Sequence, residues 1–236
     1  MKFNAVNAII ASLTLALAVA ANTEKIIFLA PPVDVIPLAS PSLQDLKLDT
    51  ISPQKLSIQR NLTRVFGDGG QDNWYLLDNL TEGKRYELRV CWAATEPTKF
   101  DLDVYVLDTV WETPELISSL AAFSKSQQDQ AEHHEPQIRT PTNVDAGERH
   151  ASVFLLRIRS QADYYSHDKS LMVHPRPVLT DIILDPYLAN VVPESLVLTG
   201  IHVIVVAITS FFIARWISTS LSSVATSKAE NLKKKN

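Results

Sequence analysis

Lys84–Val106 reads KRYELRVCWAATEPTKFDLDVYV, and its apolar residues recur with a period of two. Tyr86, Leu88, Val90 and Trp92 alternate with Arg85, Glu87, Arg89 and Cys91. Past a link, Phe100, Leu102, Val104 and Val106 alternate with Asp101, Asp103 and Tyr105. Such alternation sets one face of an extended chain against a core and the other in water, so it predicts two half-buried antiparallel strands. The link Ala93–Lys99 contains Pro97 and is long enough for a hairpin or for a crossover between sheets. Further strands are predicted at Lys25–Leu29, Leu56–Phe66, Trp74–Leu77, Ser152–Arg159 and Ser170–Val173. In Ser152–Arg159, Phe154, Leu156 and Ile158 alternate with Leu155, Arg157 and Arg159. Turns are expected at Gly67-Asp68-Gly69-Gly70 and Thr81-Glu82-Gly83. Short strands separated by turns predict a mainly β fold, an antiparallel β-sandwich.

One stretch departs from this pattern. Thr113-Pro114-Glu115 begins a predicted helix to about Phe123, with Thr as N-cap and Pro at the first helical position. Ser124–Gly147 follows; rich in Gln127, Gln128, Gln130, His133 and His134, it reads as a polar loop over 124–147. Pro175, Pro177, Pro186 and Pro193 mark a descent toward the next element, with a connector over 181–194.

Two apolar stretches lie outside the β region. Ala8–Ala21, preceded by Lys2 and carrying Ala18 and Ala20 in an A-x-A arrangement, reads as a secretory signal peptide over 1–21. Ser195–Ala214 is apolar over 20 residues without a carboxylate, Lys or Arg. At about 1.5 Å per residue it matches the roughly 30 Å hydrocarbon layer, and we read 195–216 as a transmembrane helix. Asp181, Asp185 and Glu194 precede it, while Arg215, Lys228, Lys233, Lys234 and Lys235 follow. The positive-inside rule places the tail, 217–236, in the cytosol and the β domain, 22–180, on the luminal side: a single-pass type I protein. The luminal part holds 16 basic and 25 acidic residues, a net charge of −9, and the tail is +4. An acidic body is no nucleic-acid binder. Lys233 and Lys234 stand four and three places from the end, the arrangement of a dilysine retrieval signal for the endoplasmic reticulum.

Little in the chain points to catalysis. Of its 236 residues only six are glycine and one is cysteine, so phosphate-cradling glycine loops and cysteine-based metal sites have no material. Glu132-His133-His134-Glu135 offers metal-ligand types, but in a polar loop without partners at known spacing. His150, His167 and His174 are scattered, and no G-x-S-x-G is present. Asp101 and Asp103 occupy the polar face of a strand, although an Asp-x-Asp also occurs in sugar-nucleotide glycosyltransferases. Cys91 is compatible with a buried inert thiol or an intermolecular disulfide. No cofactor is called for. Two N-x-[ST] sequons, at Asn61 and Asn79, are candidate glycosylation sites; Asn79, at a turn, is the better acceptor.

On a helical wheel, Val197, Ile201, Ile204, Val205, Ile208 and Phe212 fall within one arc of about 100°. The opposite half holds Thr199, Gly200, His202, Ala207, Thr209, Ser210 and Ala214. Small and hydrogen-bonding residues are what membrane helices offer to other helices, and an ionisable residue within a span usually faces protein. This half is therefore expected to meet a partner inside the membrane.

The start Asn22-Thr23-Glu24-Lys25-Ile26-Ile27-Phe28, the block Glu87–Tyr105 (ELRVCWAATEPTKFDLDVY) and the single C-terminal span resemble the fungal GPI-mannosyltransferase II co-activator family. The resemblance runs over most of the chain and implies a non-catalytic accessory subunit in the endoplasmic-reticulum membrane. Its partner would be the polytopic catalytic mannosyltransferase, which adds the second mannose to the GPI precursor from dolichol-phosphate-mannose. The alternative is a p24-like cargo receptor, which shares a luminal sandwich, one span and a dilysine tail. That family has a luminal disulfide and a heptad-rich stalk; this chain has one cysteine and no heptad run before its span. A membrane-tethered luminal hydrolase is a third reading, disfavoured by the missing motifs.

Overall fold

The structure, a computed structural model, describes residues 21–37, 42–67, 69–132 and 148–233. The residues before Ala21, expected to be a signal peptide, the stretch 133–147 and Lys234 lie outside the described residues. The chain divides into two compact units, one ending at Pro186 and one beginning at Tyr187.

Ten strands and four α-helices make up the described chain. They are β1 (Ala21–Leu29), β2 (Asp34–Pro37), a 3-10 turn (Leu43–Leu46), β3 (Asp49–Ile51), β4 (Ser57–Leu62), β5 (Gln71–Leu80), β6 (Arg85–Ala93), β7 (Thr98–Tyr105), α1 (Leu107–Glu112), α2 (Pro114–Glu132), β8 (Glu148–Ala162), α3 (Lys169–Val173), β9 (Val178–Leu188), β10 (Val192–Pro193) and α4 (Glu194–Lys233). In the first sheet β6 pairs with β1 and with β9, and β9 pairs with β4 along its other edge, all antiparallel. In the second sheet β8 pairs with β5, β7 and β2, all antiparallel, and β3 adds to β5 in parallel.

The alternation in Lys84–Val106 produces β6 and β7, yet these strands do not pair with each other. β6 lies in the first sheet and β7 in the second, so the link through Pro97 is a crossover. On β6, Tyr86, Leu88 and Val90 are fully buried, and Trp92 meets Phe100 of β7 edge to face with ring centroids 4.7 Å apart. One apolar cluster draws on both sheets, joining Phe28, Ile58, Leu88, Ile182 and Leu184 of the first to Leu77, Phe100, Leu156 and Ile158 of the second. A second cluster lies on the far face of the second sheet. There Trp74, Leu76, Val153 and Leu155 meet Leu107, Val110, Leu116 and Leu120 of α1 and α2. Thus β5 and β8 are buried on both faces, their odd and even residues feeding different clusters. Helical cover is what hides Leu155, which alternation alone would place in water.

Three expectations are corrected. The helix begun at Pro114 continues to Glu132, so 124–132 is helix and not loop. Ser124 is buried in it and donates to the Leu46 carbonyl at 3.0 Å. The stretch 181–186 belongs to the β domain and not to a connector: Ile182 and Leu184 are fully buried in β9, between β6 and β4. Pro186 fits because it pairs with Tyr86 beyond Ile183, where β4 has ended and a strand edge tolerates proline. Ser170–Val173 is helical, since Asp168 caps it by accepting the Ser170 N–H at 2.9 Å. The tail read over 217–236 is helical as far as Lys233.

Candidate functional site

Helix α4 carries most of the residues picked out from the sequence. Its segment Glu194–Ser222, 29 residues, is long and apolar enough to cross a membrane, and none of it is buried. It is uninterrupted because no proline or carboxylate follows Glu194 until Glu230, and its one glycine, Gly200, stands inside the first two turns. Thr199, Gly200, His202, Ala207, Ser210 and Ala214 are all exposed on it. Nothing lies within 4 Å of a Cβ built on Gly200, and His202 bonds to no other described residue. The Thr209 hydroxyl instead donates back to the Val205 carbonyl at 2.8 Å, as such side chains do when no other acceptor is near.

Both sequons are on exposed side chains. Asn61 sits on β4, an edge strand, between buried Ile58 and Leu62, and points away from the core. Asn79 occupies the irregularity between Leu77 and Leu80, with φ at +53°, a left-handed conformation that Asn tolerates better than most residues. Lys233 closes α4.

The remaining candidates are dispersed into structural pairs. Asp103 accepts from Arg157 of β8 at 2.6 Å and Asp101 lies 3.5 Å from Lys99 of its own strand, so the Asp-x-Asp is spent on ion pairs within the sheet. Among the described residues no group of three or more His, Cys, Asp and Glu could hold a metal ion. Cys91 is a free, half-exposed thiol that accepts a weak contact from the Thr23 hydroxyl at 3.5 Å.

Sequence reasoning missed a groove of about 830 Å³ in the β domain, bounded by β2, the 3-10 turn, α1 and α2. Val35, Pro37, Leu43, Leu107 and Trp111 give it apolar walls, with Asp34, Asp108 and Lys125 at its margin. Trp111 is 44% exposed. Asp108 and Trp111 are three residues apart on α1 and so share a face. The Ser124 hydroxyl is engaged by Leu46, and Ser42 lies 3.4 Å from Asp45, so neither lining hydroxyl stands beside an imidazole base. The groove can hold a ligand, and among the described residues that line it no hydroxyl is paired with a histidine. Its lining comes from three separated segments, so no local pattern in the sequence announces it.

No protein-family model, no curated protein and no solved structure matches the chain.

Proposed function

We propose that this chain is a non-catalytic accessory subunit of a GPI mannosyltransferase II complex in the endoplasmic-reticulum membrane. In this reading the two sheets form a luminal β-sandwich, the signal peptide is removed, and α4 crosses the bilayer once with the basic tail in the cytosol. The polytopic catalytic subunit is the partner, and the chain supports addition of the second mannose without supplying reacting groups. Alongside the family resemblance, one observation carries the reading. A 29-residue apolar helix exposes His202, Thr199 and Ser210 with no partner among the described residues. Lipid cannot satisfy such groups, so the reading supplies a protein that does.

The test is affinity purification of the tagged full chain in mild detergent. Recovery of a polytopic mannosyltransferase is expected, with accumulation of a one-mannose GPI precursor when the chain is depleted. Recovery of p24 subunits would establish the cargo-receptor alternative instead. Recovery of neither, with a normal precursor profile, would overturn both.

A further inference from the structure

We infer that the hairpin just ahead of α4, Leu188–Val192, lies in the headgroup layer of the luminal leaflet with its apolar side chains against lipid. The inference rests on the reading that α4 crosses the bilayer, and on nothing about the protein partner.

β10 folds back on the end of β9, with Val192 opposite Leu188 and Pro193 opposite Tyr187. Between them the chain reverses sharply. Ala189 and Asn190 have φ of +50° and +58°, and the Val191 N–H donates to the Leu188 carbonyl at 3.1 Å. Two left-handed central residues mark a type I′ turn, whose twist suits a hairpin. The first of them is alanine, where glycine, asparagine or aspartate is usual. The flanking side chains are turned outward: Leu188 is 59% exposed, Val191 72% and Val192 41%. No charged residue stands between Asp185 and Glu194. Turns in water are rich in polar residues, and an exposed apolar cluster free of charge marks a contact surface.

The reach of the chain decides the occupant. Arg215 is the next charged residue after Glu194, 21 positions further along α4, and Trp216 stands beside it. At about 1.5 Å per residue the two charges are roughly 31 Å apart, the thickness of the hydrocarbon layer, and tryptophan suits its boundary. Glu194 therefore sits at the luminal edge of the hydrocarbon. Val192 is two positions before it and Val191 three. Even a fully extended chain carries them only about 7 and 10 Å from that edge. The headgroup layer is roughly 5–7 Å deep on each side, half the difference between the whole bilayer and its core. The chain is also not extended away from Glu194 but doubled back, which keeps Leu188 beside Val192. A protein seated on the tip would have to displace headgroups from this thin layer, whereas lipid already fills it.

Nitroxide labels measure the depth. The full chain carrying Cys91→Ser receives one label at a time, through Leu188→Cys, Val191→Cys, Ile204→Cys or Tyr165→Cys, and is reconstituted in phosphatidylcholine vesicles. Position 204 samples the middle of the span, and 165 is a 78% exposed site of the β domain. Collisions with oxygen, which concentrates in lipid, are compared with collisions with a water-soluble nickel chelate present on both sides of the membrane. Labels at 188 and 191 should meet nickel at least fivefold less often than the label at 165, and more often than the label at 204. Nickel reaching 204 as freely as 165 would overturn the membrane span and the placement of the hairpin with it. Shielding at 204, with 188 and 191 as accessible as 165, would overturn the placement alone and leave the span and the accessory-subunit reading to their own test. Dipolar broadening between labels at 191 would also overturn it, because a second copy of the chain and not lipid would then cover the tip.

Discussion

The Ser119 hydroxyl of α2 donates to Asp72 Oδ2 of β5 at 2.7 Å, and in turn accepts the indole N–H of Trp74 at 3.0 Å. Arg159 of β8 reaches the same carboxylate through Nε at 2.8 Å. A helix and two strands are thus joined at one carboxylate, on the sheet face that the second apolar cluster covers.

Burial pushes the Asp72 carboxyl up, but hydrogen bonds from Arg159 and Ser119 outweigh it and hold the group below the usual carboxylate range. Because the folded value is the lower one, its stabilisation is complete above the unfolded value of about pH 4 and is lost as pH falls through the folded value. Asp72→Asn should therefore cost about 1–3 kcal/mol at neutral pH and flatten the acid limb of stability. Urea unfolding of the β domain at pH 7 and near pH 3 measures both. An unchanged acid limb would show that Asp72 is not the group responsible.

Arg64 is buried and donates to the carbonyls of Arg176 and Pro97 and to the Thr98 hydroxyl, with its guanidinium over the Tyr164 ring. It ties the crossover at Pro97 to the start of β7 and to the segment leading into β9. Arg64→Met should lower stability by about 2 kcal/mol, since the Arg176 carbonyl loses its donor while the Pro97 carbonyl keeps the Asp163 N–H at 3.2 Å. Arg64→Lys should recover only part of that, because an ammonium cannot span three acceptors in a planar fork. Denaturation midpoints of the two variants give the order.

Glycans are expected on Asn79 and, because its side chain is exposed on an edge strand, also on Asn61. The cleaner variants are Thr81→Ala and Thr63→Ala, which remove each sequon without altering the left-handed backbone at Asn79. Each should remove one glycosidase-sensitive mobility step. No step in the wild type would refute the luminal placement when paired with protease protection.

Replacing Lys233 and Lys234 with Ser should release the chain to later secretory compartments, read by immunofluorescence and by glycan maturation. Unchanged location would assign retention to α4 or its partner.

How much of this was legible in the sequence depends on what set each feature. β6 could be read directly, because Tyr86, Leu88, Val90 and Trp92 face one core while Arg85 and Arg89 do not. Glu87 broke the pattern. It is 4% exposed, held by Lys25 at 3.1 Å across the β1 pairing, and a partner 62 residues away leaves no local trace. β9 was partly misread because its flanking and internal prolines resembled a connector, although Ile182 and Leu184 already alternated with Asp181 and Asp185. The end of α2 was lost to its Ser and Gln content, whose low apolar signal hid the contact of Ser124 with Leu46. The two faces of α4 are read from its spacing alone, since none of Glu194–Ser222 is buried among the described residues.

The place of β9 has a consequence for the order of assembly during synthesis. It is the last long strand to be made, yet it inserts between β6 and β4, whose residues precede it by about a hundred positions or more. Until Pro186 has left the ribosome, Leu88, Val90 and Ile58 lack the strand that packs beside them, and no shorter fragment can close the first sheet. Contacts of such sequence separation form slowly. Only seven residues separate Pro186 from Glu194, so the β domain reaches its final form as the apolar helix is already emerging. Closure of the sheet and emergence of α4 are thereby made nearly simultaneous.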